Sequence, residues 1–219
     1  MKRIPEHDLM DTPEQAIAYA STDFSEPHDA FVKHFQQRFP DFAQGEVLDL
    51  GCGAADVTVR FGWAYPRVKI YGVDGAQAML ELGTKAVQEM DMADRITLTQ
   101  HYLPDAALPS QHFDAIICNS LLHHLDDPLT LWQTVKQTAK PGAPVMVMDL
   151  VRPNSVVEVF RLVREHASDA PPILQKDFYH SLLAAYQPQE VKRQLFKMDL
   201  DHFSIEIVSD RHMLIWGQI

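Results

Sequence analysis

The sequence predicts an α/β fold: a Rossmann-like, doubly wound sheet of seven strands that is mostly parallel and ends in an antiparallel hairpin. Short runs rich in Val, Ile and Leu alternate with helical segments between residues 47 and 150, as parallel strands with crossover helices require. The first run breaks into Gly51-Cys52-Gly53, which is typical of a sharp turn from a buried strand into a helix. The last two β-rich runs, 203–208 and 213–216, are close enough to pair as a hairpin.

The predicted elements follow one another in a regular order. The expected parallel strands are 47–50, 68–73, 96–99, 113–119 and 144–150, with helices at 55–64, 76–90 and 128–139. Helical sequence also precedes them, from Thr12 to about Phe39, with an interruption near Pro27. After the fifth strand, helices are expected at 155–167, 177–186 and 188–196, with a break at Pro171-Pro172.

Composition limits the classes of partner. The chain has 219 residues, 46% of them hydrophobic, which fits one ordinary globular domain. A formal charge of −11 repels phosphate backbones and anionic lipid surfaces, so we expect neither nucleic acid nor membrane as a partner. No apolar run approaches the roughly 20 residues of a membrane span, and a cytoplasmic location is expected. Cys52 and Cys118 are predicted to be free thiols.

The glycine turn predicts a ligand site. Gly51 and Gly53 let the backbone adopt positive φ and let a ligand approach it closely, while the following helix directs its free N–H groups to the same place. Asp74 ends the second strand about 20 residues later, where a carboxylate accepts hydrogen bonds from both ribose hydroxyls of an adenosine. Asp74 could equally cap the next helix, and the two roles are compatible.

Asp56 distinguishes between adenosine cofactors. The dinucleotide fingerprint needs glycine at this position, so that helix and pyrophosphate pack closely. A carboxylate there repels a pyrophosphate and suits a cofactor that has no phosphate and carries positive charge. S-adenosylmethionine has that character, whereas the NAD of a nicotinamide oxidoreductase does not.

Taken together, the motifs resemble the class I S-adenosylmethionine-dependent methyltransferases, in particular the small-molecule group with the type 11/25 domain. The resemblance covers residues 46–150 and is carried by Val47-Leu48-Asp49-Leu50-Gly51-Cys52-Gly53, Tyr71-Gly72-Val73-Asp74, Phe113-Asp114-Ala115-Ile116-Ile117-Cys118-Asn119 and Leu122-His123-His124-Leu125. It implies S-adenosyl-L-methionine as cofactor and S-adenosyl-L-homocysteine as product. The cofactor-binding residues that it implies are Asp49, near the methionine ammonium, the turn Gly51, Cys52 and Gly53, then Asp74 and Gly75 at the ribose, and Asn119 and Ser120 at the end of strand four.

Two positions depart from the family pattern. Ala55 stands where a third glycine is usual. After strand three the family usually has an acidic residue that holds the adenine amino group, and this chain has Gln100-His101-Tyr102-Leu103 instead. Tyr102 or Leu103 is therefore expected to cover the adenine ring.

His123 is the predicted catalytic base. It follows strand four at the carboxyl edge of the sheet, and its ordinary pKa near 6.5 suits proton removal at neutral pH. Asp149, at the end of strand five, is expected to orient the imidazole, although a solvated strand-end acid is an equal alternative. No metal is expected, because the side chains of His123 and His124 should diverge and no further ligand stands at a recognisable spacing.

The residues that bind the methyl acceptor are predicted to lie in the least regular segments of the chain. Residues 19–24 are expected to fold over the ligand as a lid, and the substrate-binding candidates are Tyr19, Phe24, His124, Arg152 and Tyr179. An inward-pointing arginine would indicate an acceptor with a carboxylate. The expected reaction is methyl transfer to the oxygen or nitrogen of a small molecule; a non-catalytic S-adenosylmethionine-binding protein is the main alternative.

We expect one methyltransferase domain over residues 1–219, as a monomer or homodimer. Within it, 1–40 form a helical cap, 41–151 the cofactor-binding core, 152–200 a helical insertion on the substrate side and 201–219 the terminal hairpin.

Overall fold

The computed structural model describes residues 1–6 and 10–219. Its centre is a seven-stranded sheet in the order β3-β2-β1-β4-β5-β7-β6. The first five strands pair in parallel, β7 runs antiparallel to β5, and β6 runs antiparallel to β7. The predicted doubly wound sheet with an antiparallel carboxyl-terminal pair is therefore confirmed.

The strands are β1 Gln44–Leu50, β2 Arg67–Asp74, β3 Ile96–Gln100, β4 Ala115–Asn119, β5 Pro144–Leu150, β6 Ser204–Ile207 and β7 His212–Gln218. The helices are α1 Pro13–Ser21, α2 Ser25–Arg38, α3 Asp56–Ala64, α4 Gln77–Glu89, α5 Leu129–Thr138, α6 Val156–His166, α7 Pro172–Ala184 and α8 Pro188–Lys197. A short 3₁₀ turn, Leu122–His124, follows β4.

Successive side chains of the central strands enter two separate cores, one on each face of the sheet. On β1, Leu48 and Leu50 join one core while Val47 joins the other. The same alternation on β5 sends Val145 and Val147 to the first core and Met146 to the second. Both faces are covered, which is why these strands are apolar throughout in sequence.

The N-terminal helices pack on one face of the sheet and beside its carboxyl edge. Thr12 caps α1 by accepting a hydrogen bond from the backbone of Gln15 at 3.2 Å, as its sequence predicts. The break between the two helices lies at residues 22–24 rather than at Pro27, because a proline is tolerated in the first turn of α2. Phe35 of α2 packs edge-on against Phe61 of α3, with ring centroids 4.9 Å apart.

One predicted boundary is wrong for a clear reason. The two prolines at 171 and 172 were expected to break the chain ahead of a helix at 177–186, but α7 already begins at Pro172. Proline fits the first helical position because the N–H that it lacks has no partner there. Within residues 1–6 and 10–219, the structure contains no helix with the length and apolar character needed to cross a bilayer.

Candidate active site

The glycine turn between β1 and α3 is fixed by backbone hydrogen bonds to β2. The N–H groups of Gly51 and Cys52 both donate to the carbonyl of Val73, at 2.8 and 3.1 Å. Gly51 and Gly53 adopt positive φ of 75° and 52°. A methyl group added at Gly53 would meet no atom within 4 Å, so the turn leaves open space above this glycine for a ligand.

Ala55 adopts the left-handed conformation usual for glycine. Its φ is +66°, and it is fully buried at the start of α3. The conformation costs an L-amino acid about 1 kcal/mol or more. The turn therefore closes as it would with the family's third glycine, at the expense of local strain.

A cavity of about 570 Å³ opens beside the turn. It lies at the carboxyl edge of the parallel strands, where open α/β sheets bind their ligands. Helices α1, α2 and α7 and the start of β7 supply its other walls. Of the residues predicted from sequence, those that line it are Tyr19, Phe24, Asp49, Gly51, Cys52, Gly53, Asp74, Gly75, Asn119, Ser120, His123 and His124.

Two carboxylates, buried Asp49 and half-buried Asp74, give the cavity its charge. Asp74 accepts hydrogen bonds from the backbone N–H of Gly53 and of Ala76, both at 2.8 Å, yet burial raises its pKa. Asp49 accepts a hydrogen bond from the Thr58 hydroxyl at 2.6 Å, and burial raises its pKa to about 7. Neither has a cationic side chain as an ion-pair partner within residues 1–6 and 10–219, so each favours a cationic ligand.

Asp56 behaves differently, because basic side chains surround it. The ring of His28 on α2 makes a short hydrogen bond to Asp56, and Arg60 donates to it at 3.0 Å. Burial opposes ionisation of Asp56, but these two hydrogen bonds outweigh it and hold its pKa below the ordinary value. The contact also joins α2 to the first turn of α3.

His123 and Asp149 form a buried pair at the other side of the cavity. The Nδ1 atom of His123 lies 2.7 Å from Asp149 Oδ1, and both side chains are at most 3% exposed. The other oxygen of Asp149 accepts from the backbone N–H of Leu122 at 2.8 Å. Burial alone would lower the pKa of His123, but the charge and hydrogen bond of Asp149 outweigh it and raise that pKa. This contact is the arrangement by which a carboxylate can orient a histidine ring.

Comparison with known proteins finds a family similarity over part of the chain. Residues 47–142 match a family model described as a methyltransferase domain. This match agrees with the resemblance to methyltransferases that the sequence motifs carry.

Individual relatives agree with this resemblance. Over 130 residues the chain is 27% identical to a demethylmenaquinone methyltransferase from Anoxybacillus flavithermus, a match covering 59% of this chain and 54% of that protein. The chain spans about half the length, or less, of the first curated relatives that it matches.

Solved structures show the same fold. A SAM-dependent methyltransferase from Aquifex aeolicus superposes with a TM-score of 0.69 at 17% identity, covering 95% of this chain and 98% of that one. The [4+2]-cyclase SpnF superposes with a TM-score of 0.63 at 12% identity, covering 91% and 84%. Since the second is titled a cyclase, the fold alone does not determine the reaction.

The site beside the glycine turn fits a positively charged adenosine cofactor. Asn119, at the end of β4, has a buried side-chain oxygen with no hydrogen-bond partner within the described ranges. Next to it, Ser120 is held at φ +57°, a strained conformation that is frequent at ligand sites. Asn119 offers a hydrogen-bond acceptor without a donor, Asp49 and Asp74 offer carboxylates without a cationic partner among the described residues, and Gly53 leaves open space. An ammonium group and a sulfonium require such surroundings.

Two residues predicted to cover the adenine lie outside the cavity wall. Tyr102 is 57% exposed, and its hydroxyl accepts a hydrogen bond from Gln100 Nε2 at 3.1 Å. Leu103 packs against the core on one face of the sheet. Both follow the end of β3, where the chain turns away from the cavity, so the position after a strand did not determine the direction of the side chain.

Two predicted acceptor residues also lie elsewhere. Arg152 is buried at 4% exposure and donates to the carbonyl of Ala185 at 2.7 Å and to Glu190 at 2.8 Å. It ties β5 to the start of α8, so it gives no indication of a carboxylate on the acceptor. Tyr179 packs against Phe160 of α6, with centroids 5.2 Å apart, and belongs to a separate small core.

One stripe of α7 lines the cavity, and the sequence did not predict it as a continuous face, although Phe178 on this helix and His166 on α6 were among the residues expected to be able to contact an acceptor. Leu174, Asp177, Phe178 and Ser181 line the cavity, at the i, i+3, i+4, i+7 spacing of a single helix face. A helix beginning at Pro172 would have revealed this stripe in sequence. Further residues of the wall are Met10, His28, His166, Arg211 and His212.

Proposed function

We propose that this protein transfers the methyl group of S-adenosylmethionine to an oxygen or nitrogen of a small-molecule acceptor. The observation that carries the proposal is the pair of carboxylates at the glycine turn, buried Asp49 and half-buried Asp74. They have no cationic partner among the described residues, and the cavity that they line suits a ligand that brings its own positive charge. Asp74 would hold the ribose and Asp49 the methionine end.

The same charges oppose a nicotinamide dinucleotide. A pyrophosphate at this turn would lie beside the carboxylates of Asp49 and Asp74, whose pKa values desolvation already raises. Asp56, whose pKa is lowered, adds a third negative charge at the helix N-terminus where a pyrophosphate would bind. An oxidoreductase function is therefore disfavoured on electrostatic grounds.

His123 is placed to accept the acceptor's proton. The bound cofactor supplies an electrophilic methyl group, and the protein aligns the acceptor with it and keeps water out. Because Asp149 holds Nδ1 of His123, the Nε2 atom remains for the proton of an acceptor hydroxyl or ammonium. Tyr19, Phe24 and Phe178 supply aromatic walls beside it, which suit an acceptor with an apolar body and one polar reactive group.

A binding experiment tests the cofactor assignment. At concentrations about 100 times Kd, S-adenosylmethionine and S-adenosylhomocysteine should each raise the free energy of unfolding by about 2.7 kcal/mol, whereas NAD should have no effect. Asp74→Ala should remove most of this stabilisation. Asp201→Ala, which removes an exposed carboxylate outside the cavity, is the matched control. Equal stabilisation of native protein and Asp74→Ala would disprove the ribose assignment.

A turnover experiment tests catalysis separately. With candidate quinols, phenols and amines, His123→Ala should lower methyl transfer by about 10²- to 10⁴-fold while cofactor affinity stays unchanged. His180→Ala, an exposed histidine on α7, is the control. Binding of the cofactor without methyl transfer to any acceptor class would favour the non-catalytic alternative.

A further inference from the structure

The two histidines after β4 lie together rather than apart. The rings of His123 and His124 have centroids 4.1 Å from each other and planes inclined by 37°. The 3₁₀ turn at Leu122–His124 brings them to the same side of the chain. The expectation that adjacent side chains diverge here is therefore wrong, and the reason for expecting no metal no longer holds.

A carboxylate from the N-terminal segment completes a cluster with them. Glu6 is 9% exposed, and its Oε2 lies 3.7 Å from His124 Nδ1. Arg3 anchors this segment by donating to the backbone carbonyls of Ala184 and His123. One potential ligand atom from each of Glu6, His123 and His124 lies within 4.8 Å of the other two.

We propose that Glu6, His123 and His124 bind a divalent transition metal, with zinc as the best match. Two imidazoles and one carboxylate are a common three-ligand zinc set that leaves a fourth position open. Zinc–ligand bonds of about 2.0–2.1 Å in a tetrahedron place the ligand atoms about 3.3 Å apart. The separation of 3.7 Å between Glu6 Oε2 and His124 Nδ1 is close to this value, and the ligand atoms of all three residues lie within 4.8 Å of one another.

The side chains that hydrogen-bond to the three proposed ligands are also those typical of a metal site. Asp149 accepts the hydrogen bond of His123 Nδ1 at 2.7 Å, which leaves Nε2 as the nitrogen able to bind a metal. This carboxylate–histidine arrangement is typical of metal-ligating histidines. Ser181 of α7 donates to Glu6 Oε2 at 2.9 Å and holds the carboxylate in place.

The local charge tolerates a dication. Glu6 and Asp149 are both buried and bring two negative charges, while the Arg3 guanidinium brings one positive charge. With a metal on Nε2, His123 would no longer accept the acceptor's proton itself; an acceptor oxygen at the open fourth position would instead lose its proton more readily on the metal. The metal site does not depend on methyl transfer, because its ligands are assigned from geometry alone.

A second cluster of similar composition provides a control within the same chain. Glu165, His166 and Asp210 also come within 4.8 Å of one another, but all three are on the outside of the protein. Arg161 pairs with Glu165 and Asp210, so cations already occupy these carboxylates. We expect no tight metal binding there.

Metal titration of the full chain, freed of metal by a chelator and without cofactor or acceptor, tests the proposal. Zn²⁺ in calorimetry, and Co²⁺ followed by its visible absorption, should each show one tight site. Glu6→Gln and His124→Ala should remove it, and Asp149→Asn should weaken it about 10- to 100-fold. His166→Ala should leave it unchanged, with circular dichroism confirming that every variant is folded.

The proposal is overturned if Zn²⁺ does not bind, or if Glu6→Gln binds it as tightly as the native chain. Loss of the site in His166→Ala would assign the metal to the exterior cluster instead. Since no cofactor is present, these results stand apart from the thermal-stability test of S-adenosylmethionine binding.

Discussion

Replacing Asp49 by Asn tests the electrostatics of the glycine turn directly. Asn has the same shape, and its amide oxygen can still accept the hydrogen bond from Thr58, but it carries no charge. Burial raises the pKa of Asp49 from 3.8 to about 7 in the folded chain. A difference of about three pKa units corresponds to about 4 kcal/mol between the neutral and ionised forms.

The direction in which the unfolding free energy changes with pH depends on whether the folded or the unfolded chain binds the proton of Asp49 more tightly. Between pH 4 and 7 the folded chain holds a proton on Asp49 that the unfolded chain has lost, so folding becomes less favourable as pH rises. The native chain should therefore lose up to about 4 kcal/mol of unfolding free energy relative to Asp49→Asn between pH 4 and 8. Most of this loss should be complete just above pH 7.

Urea unfolding of both chains at pH 4, 5, 6, 7 and 8 measures the difference. Other titrating groups are common to both proteins and cancel in the comparison. Asp201→Asn makes the same chemical change at an exposed position and should show no pH-dependent difference. A gap between the native chain and Asp49→Asn that stays constant across this range would refute the raised pKa.

Binding of the cofactor should lower the raised pKa of Asp49. A cationic ligand beside Asp49 favours the ionised carboxylate, so binding near pH 7 should release part of a proton. Affinity for S-adenosylmethionine should then rise with pH through about 7 in the native chain and stay flat in Asp49→Asn. Calorimetry in two buffers with different ionisation enthalpies detects the released proton.

Further substitutions separate packing from ligand binding. Gly53→Ala should cost only about 1 kcal/mol of stability from its positive φ, yet it should weaken cofactor binding because the new methyl group enters open space beside the turn. Gly51→Ala should cost more, since its methyl group would lie 2.8 Å from Leu121 Cβ; urea midpoints that rank the two in the opposite order would contradict this. Arg152→Met should lower the unfolding free energy by about 3 kcal/mol by leaving the carbonyl of Ala185 and the carboxylate of Glu190 without their donor, and calorimetry should find cofactor affinity unchanged.

The sheet could be predicted because its signals are local. Each parallel strand is a short apolar run followed by a turn, and a run that is apolar throughout predicts burial on both faces, as Val47 and Leu48 show by joining different cores. The carboxyl ends of parallel strands lie at one edge, which is why the sequence could predict that Asp49, Asp74 and Asn119 lie around one cavity. The start of α7 was missed because a Pro-Pro pair can either break a chain or begin a helix.

The residues lining the part of the cavity expected to bind the acceptor could not be predicted as well as the sheet. Their positions depend on side-chain direction and on contacts between residues far apart in sequence. Arg152 and Tyr179 have the right chemistry and lie in the right segment, but one joins β5 to α8 and the other faces α6. Neighbouring Phe178 lines the cavity instead, because one residue along a helix rotates the side chain by about 100°. Glu6 meets His124 through a chain separation of more than 100 residues, which no motif spacing records.

The structure also changes which residue discriminates against a phosphate-bearing cofactor. In sequence, Asp56 alone carried that argument, because it replaces a glycine of the dinucleotide fingerprint. In the fold, Arg60 and His28 lie against Asp56, so part of its negative charge is compensated and part of its surface faces solvent. Asp49 is buried, Asp74 is half-buried, and neither has such partners within the described ranges. Under the proposed function, we therefore expect Asp49 and Asp74 to contribute most of the charge that selects a sulfonium over a pyrophosphate, while Asp56 joins α2 to the turn.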